Sequence, residues 1–139
     1  CIPVDPWFIV DSAPEEARLI KTSREVNDSK PLWVVEKIKQ TIDAYLRRHP
    51  QKRIEDITVG IIGGLGYKPG TDDLRNSPAQ LIVNSVTNIG CKTIVIDQYI
   101  NSHTTTKDNI YFSSSMDELE KFDNLILTVT LHNSTFTRR

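Results

Sequence analysis

The sequence predicts an α/β fold: a helical arm over residues 1–50, then a parallel sheet with helices on its faces over 51–139. Three observations predict it. The runs "ITVGIIG" (57–63), "CKTIVID" (91–97) and "NLILTVT" (124–130) are rich in β-branched residues and do not alternate polar with apolar. Strands buried on both faces read this way. A helix-like segment, "SPAQLIVNSVTNIG" (77–90), separates the first two runs, and strand–helix–strand repetition builds a parallel sheet. Before residue 50 there is no such run, and apolar residues recur instead at helical steps.

The opening "CIPVDPWFIV" is apolar and broken by proline. With Pro3, Pro6 and Pro14 in fourteen residues, it reads as a constrained loop feeding a helix. A helix is expected over Pro14–Asn27, with Pro14 in its first turn and Glu15 and Glu16 complementing the positive end of its dipole. A second is expected over Pro31–His49, where Leu32, Val35, Ile38, Ile42 and Tyr45 make one apolar stripe. Arg47, Arg48 and His49 suit its C-terminal end, and Pro50 stops it. In the second half, Ser77 caps a helix that starts on Pro78 and ends at Gly90. "NIYFSS" reads as a third strand, and "SMDELEKF" as a short helix capped by Ser115. The three runs named first are expected to lie inside the sheet. Trp7 and Trp33 are expected to pack the arm onto the domain.

Composition excludes several functions. The 139 residues are 38% apolar and 25% charged, with a net charge of −1. A balanced chain without a basic tract is a poor partner for nucleic acid. No apolar run approaches the roughly 20 residues of a membrane span. Three scattered histidines have no metal-ligand spacing. Cys1 and Cys91 make no disulfide framework and fit a reducing compartment, so a cytoplasmic location is expected. No targeting segment is evident. A chain opening on Cys1 rather than Met is either processed to that residue or a piece of something longer.

In open α/β sheets, ligands collect beyond the carboxyl ends of the strands. The loop after the first strand reads "GLGYKPGTDDLRNSP". It is no dinucleotide fingerprint, because Pro69 stands where the third glycine belongs, and no P-loop, because no glycine precedes Lys68. It sets Tyr67 beside Lys68, then Asp72, Asp73 and Arg75 just ahead of a helix N-terminus. Those groups suit a nucleotide diphosphate. The plainer reading is a rigid turn in which Arg75 pairs with Asp72 or Asp73.

"CIPVDPWF", "SREVND" and "GLGYKPGTDDLRNSPA", in this order and at about this spacing, resemble the UDP-glucose/GDP-mannose dehydrogenase family. The resemblance covers essentially the whole chain. Val4, between Pro3 and Asp5, is similar to the branch that oxidises UDP-N-acetyl-D-mannosamine; the UDP-glucose branch usually carries a lysine there. The resemblance implies that residues 1–50 are the catalytic-cysteine loop and the end of a central helical region that builds a homodimer. Residues 51–139 would be the C-terminal, Rossmann-like domain that binds the UDP-sugar, possessing fewer strands than usual. NAD would be bound mainly by a domain ahead of Cys1, so no residue here is assigned to the cofactor.

The family oxidises a primary alcohol of the sugar to a carboxylate, moving two hydrides to NAD. By resemblance Cys1 is the nucleophile that holds the aldehyde and then a thioester, and Asp5 is its acid/base partner. Tyr67, Lys68 and Arg75 would contact the substrate. The plain alternatives are a small apolar residue for Cys1, a turn residue for Asp5 and a helix stop for Asn27. Asp97 ends the second strand where a dinucleotide fold binds ribose; since the glycine fingerprint fails, it is read as structural. Cys91 is read as buried and His132 as a surface residue. The fragment alone is expected to be inactive. Two rival readings remain at this point. One is an N-terminal-nucleophile enzyme, which would need an antiparallel sandwich; the other is a stand-alone nucleotide-sugar-binding or oligomerisation module.

Overall fold

The computed structural model describes residues 3–68, 73–97, 99 and 109–130. Helix α1 spans Asp5–Ser12 and α2 spans Arg18–Arg48. Strand β1 (Thr58–Ile62) is followed by α3 (Pro78–Ile89), β2 (Lys92–Ile96), β3 (Ile110–Ser113) and β4 (Leu125–Thr130). The four strands lie in the order β3-β2-β1-β4, and every pairing is parallel. Thr58 faces Lys92 and Ile62 faces Ile96, so β1 and β2 run in register over five residues each. The α/β class read from the sequence is therefore correct, and among the described residues the strand pairing is parallel, unlike the antiparallel sandwich of the first rival reading.

The sheet is covered on both faces. On one, Val59, Ile61 and Val95 share a core with Ile82, Val83 and Val86 of α3 and with Val35, Ile38 and Ile42 of α2. On the other, Ile62, Ile94 and Ile96 pack against Met116, Leu119 and Phe122, at or beside a 3₁₀ turn (Met116–Lys121). All five residues of β1 are buried, which is why the strand has no polar alternation to show. Ser77 caps α3, and Gly90 ends it at φ 102°, a conformation that other residues adopt only under strain.

Three expectations for the arm need correction. The opening stretch is a helix, not a loop. Pro6 is the second residue of α1, where a missing N–H is lost from the unpaired first turn, and Asp5 favours the positive end of the dipole. The helix expected from Pro14 starts four residues later, after a turn closed by Ala17 N–H to Ala13 O at 2.9 Å. The two expected helices are a single helix of 31 residues that passes through Pro31. An interior proline forfeits one backbone bond and crowds the carbonyl four residues back. Pro31 is itself buried, and the turns beyond it are held by Val35, Ile38 and Ile42, which are 5%, 1% and 1% exposed. Packing of that face outweighs the lost bond.

The sheet and the tryptophans bring three smaller corrections. The "SMDELEKF" helix is a 3₁₀ turn, with Ser115 Oγ accepting from Asp117 N at 3.2 Å. Among the described residues β4 is an outer strand, so the interior position holds for β1 and β2 only. Trp33 does not join arm to domain: it is 52% exposed, with Lys30 Nζ 3.6 Å from its ring centre.

Candidate functional site

The site grows from the end of β1. Gly63 and Gly64 follow the strand at φ 105° and 102°, turning the chain sharply out of the sheet. The next residue, Leu65, is held through both of its peptide groups. Its N–H donates to Asp97 Oδ2 at 2.6 Å, and its carbonyl accepts from Ser77 Oγ at 2.5 Å. Asp97 is 4% exposed and its other oxygen accepts from Tyr99 N at 2.8 Å. The carboxylate at the end of β2 thus fastens the loop after β1, the structural role that the broken glycine fingerprint suggested. Tyr67 follows two residues on, its N–H donating to Asp73 O at 2.9 Å. Asn76, at φ 54°, then turns the chain into Ser77 and α3.

Facing this loop is one side of α2. Arg24, Asn27, Asp28 and Pro31 fall at positions i, i+3, i+4 and i+7, a single helical face. Arg24 and Asp28 form an ion pair. Pro3, Val4 and Trp7, before and within α1, close the third side. Together these three segments enclose a cleft of about 440 Å³, whose wall on the domain side is Tyr67, Asn76, Ser77, Pro78 and Leu81. The cleft wall is mixed: Arg24, Asn27, Asp28, Asn76 and Ser77 share it with Val4, Trp7, Pro31 and Leu81, and the N-terminus of a 12-residue helix lies at its rim. That combination suits a polar organic molecule with an anionic end.

The candidate residues take different places. Tyr67 lines the cleft. Asp5 is exposed at the first position of α1, adjoining Val4 of the wall. Lys68 is exposed beside Tyr67. Arg75 lies outside the wall: its Nε and Nη2 donate to Asp73 Oδ1 and Oδ2 at 2.9 and 2.7 Å, and its backbone N–H to Oδ1 at 3.0 Å. The side-chain bonds from Arg75, then its backbone N–H, and more weakly the charge of Lys68, lower the Asp73 pKa to about 2. The plain ion-pair reading of Arg75 is thus the arrangement adopted here, with Asp73 as the partner. Cys1, Asp72 and His132 lie outside the described residues. Cys91 is fully buried, and burial pushes its thiol pKa up, as expected of a packing residue. No group of three metal-ligating side chains occurs among the described residues.

Sequence reasoning missed Arg24, Asp28 and Trp7 as site residues. The signal for the first two was present in "SREVND": an Arg and an Asp four apart, on the same helical face as Asn27.

Comparison with known proteins bears on the family and the fold. The profile of the UDP-binding domain of the UDP-glucose/GDP-mannose dehydrogenase family matches residues 61–136. The UDP-N-acetyl-D-mannosamine dehydrogenase of Salmonella typhimurium is 39% identical over 131 residues, covering 93% of this chain and 31% of that protein. An NDP-N-acetyl-D-galactosaminuronic acid dehydrogenase of Ralstonia solanacearum is 37% identical over 130 residues, covering 93% and 28%. Among solved structures, a UDP-N-acetyl-mannosamine dehydrogenase from S. aureus superposes with a TM-score of 0.60 at 27% identity, over 96% of this chain and 34% of that one. A UDP-D-ManNAc dehydrogenase from Pyrococcus horikoshii shares the fold, with a TM-score of 0.61 at 23% identity over the same shares. The chain therefore spans about a third of the length of the relatives it matches. With the family's UDP-binding profile over more than half its length, this chain belongs to the UDP-glucose/GDP-mannose dehydrogenase family.

Proposed function

We propose that this chain is the C-terminal, UDP-sugar-binding part of a dehydrogenase that oxidises UDP-N-acetylmannosamine to its uronate. One observation carries the reading: three segments distant in sequence, residues 3–7, the "SREVND" face of α2 and the loop after β1, converge on one cleft. In this reading residues 51–139 bind the nucleotide, and residues 1–50 bring the reacting groups to the sugar. The diphosphate lies over the N-terminus of α3, between Tyr67 and Lys68. Arg75 is fully at the surface, so it can exchange Asp73 for a phosphate without leaving a buried charge behind.

Cys1 is the nucleophile. Its thiolate adds to the aldehyde carbon, and the acid is later released when water attacks the thioester carbon and the thiolate leaves. Asp5 takes the proton from that water. Pro3 and Pro6 stiffen the backbone that sets their separation. NAD is the electron acceptor of the longer enzyme, and the described residues do not fit it. The third glycine of the fingerprint is replaced by Pro69, and the carboxylate of Asp97 is already engaged by two backbone amides. No step is therefore assigned to NAD on this chain, and the chain alone is expected to be inactive.

The homodimer belongs to the same proposal. Leu19, Val26 and Trp33, 79%, 66% and 52% exposed, recur every seven residues on α2, a spacing suited to a second helix. A cytoplasmic location is proposed as well; no described helix is long and apolar enough to cross a membrane.

The test is a titration of the chain with UDP and UDP-N-acetylmannosamine, followed by amide chemical shifts. Shifts are expected at Tyr67, Lys68, Ser77 and Ala79, with a millimolar dissociation constant, about −4 kcal/mol, and Lys68→Ala should suppress them. Absence of shifts at ligand concentrations well above millimolar would overturn the reading.

A further inference from the structure

The guanidinium of Arg24 is the most unusual group in the cleft. Its side chain is 13% exposed and paired with Asp28, which is 47% exposed. Its Nε, however, is shut off from solvent and has no hydrogen-bond partner among the described residues. A buried N–H donor on a charged group is expensive to leave unsatisfied. The ion pair does not relieve it, because Asp28 engages Nη2. Arg24 forms part of the cleft wall, so a ligand entering the cleft can supply the acceptor. To meet an incoming oxygen the guanidinium has to turn its Nε–H, closed to solvent here, toward the cleft.

The surroundings restrict what that oxygen belongs to. Trp7, Pro31 and Leu81 line the same cleft as Arg24. A phosphate or carboxylate entering here would meet the carboxylate of Asp28 as well as the guanidinium it pairs with, and would leave water for a wall that also carries Trp7, Pro31 and Leu81. An amide carbonyl loses less on entry, and a methyl attached to it gains from the apolar wall. The proposed substrate carries such a group on its sugar ring. Resting on the UDP-N-acetyl-sugar reading given above, we propose that Arg24 is a specificity-determining residue: its Nε–H donates to the carbonyl of the sugar's acetamido group, whose methyl packs on the apolar wall. A site built to satisfy one polar group discriminates strongly against an analogue without it, because its own donor is then left unpaired. A sugar with a plain hydroxyl at that carbon neither reaches Nε nor fills the wall.

The experiment titrates the 139-residue chain with UDP, UDP-mannose and UDP-N-acetylmannosamine. The Arg24 Nε–H resonance, assigned through its side-chain correlations, is followed alongside the backbone amides. The acetamido sugar is expected to bind about tenfold or more tighter than UDP-mannose. It alone should shift the Arg24 Nε–H resonance. Arg24→Lys keeps the charge and removes the Nε–H, and should bring the acetamido sugar down to the affinity of UDP-mannose. Equal affinities for the two sugars, or an unmoved Nε–H resonance, would overturn the proposal even if Arg24→Lys proved unstable. So would an equal loss for all three ligands in Arg24→Lys, the mark of a purely structural ion pair. If UDP itself did not bind, the UDP-sugar reading would fail first and this inference with it.

Discussion

Replacing Asp97 with asparagine isolates the tie that holds the candidate site. The two oxygens of Asp97 accept the Leu65 and Tyr99 amides at 2.6 and 2.8 Å, and the residue is 4% exposed. An asparagine of nearly the same shape has one acceptor oxygen. Its NH₂ would oppose whichever backbone N–H the oxygen does not serve. One charge-assisted hydrogen bond is lost, about 1.5–3 kcal/mol, and one N–H is left facing a donor. Removing a charge from a buried place offsets part of this. We expect a net destabilisation of about 2 kcal/mol, or roughly 8 °C in Tm for a chain of this length. Because Leu65 lies two residues before Tyr67, the loop should loosen along with the fold. The assay is thermal unfolding by calorimetry, with hydrogen exchange read at individual amides. The Leu65 or Tyr99 amide should exchange faster by more than the global loss of stability explains. An Asp97→Asn chain as stable as the parent, with both amides still protected, would refute the reasoning: the carboxylate would then not be what holds the loop.

Three further outcomes are expected. Ser77→Ala removes both the α3 cap and the donor to the Leu65 carbonyl, so urea unfolding should show a loss of about 2 kcal/mol. Combined with Asp97→Asn it should cost less than the sum, because both side chains hold the same residue. Gly90→Ala should cost about 1–2 kcal/mol by the same measurement. The new Cβ meets Ile54 Cγ2 at an ordinary 3.7 Å, leaving only the strain of φ 102°. For Asp73, a folded pKa lowered from 3.8 to about 2 means that its pairing with Arg75 is fully present above about pH 3.8 and is lost as pH falls through about 2. A carboxyl NMR titration should give a midpoint near 2 and move back toward 3.8 in Arg75→Gln; an unmoved midpoint would mean that Arg75 is not the cause.

The sequence by itself determined the parts of this protein whose signals are local. Strands β1 and β2 were legible because segments buried on both faces, as all of β1 is and β2 is beyond Lys92, carry no polar alternation. Helix α3 was legible because Ser77, Pro78 and Gly90 act on the backbone at its own ends, whatever packs against it. The loop after β1 was legible as a candidate site because it leaves the carboxyl end of a strand with Tyr67, Lys68 and Arg75 in close succession. Tertiary structure decided the rest. Pro31 is a helix breaker by propensity, yet α2 runs through it because Val35, Ile38 and Ile42 are buried against the sheet. Trp33 carries the same apolar surface as a core residue, but its position on the far side of α2 leaves it to Lys30 and solvent. Arg75 chose Asp73 by local reach, whereas Asp97 and Ser77 meet at Leu65 from 32 and 12 residues away. Such distant contacts leave no periodic trace in a sequence. The cleft is the strongest case: Trp7, Arg24 and Tyr67 become neighbours only when the docking of α2 on the domain brings their segments together.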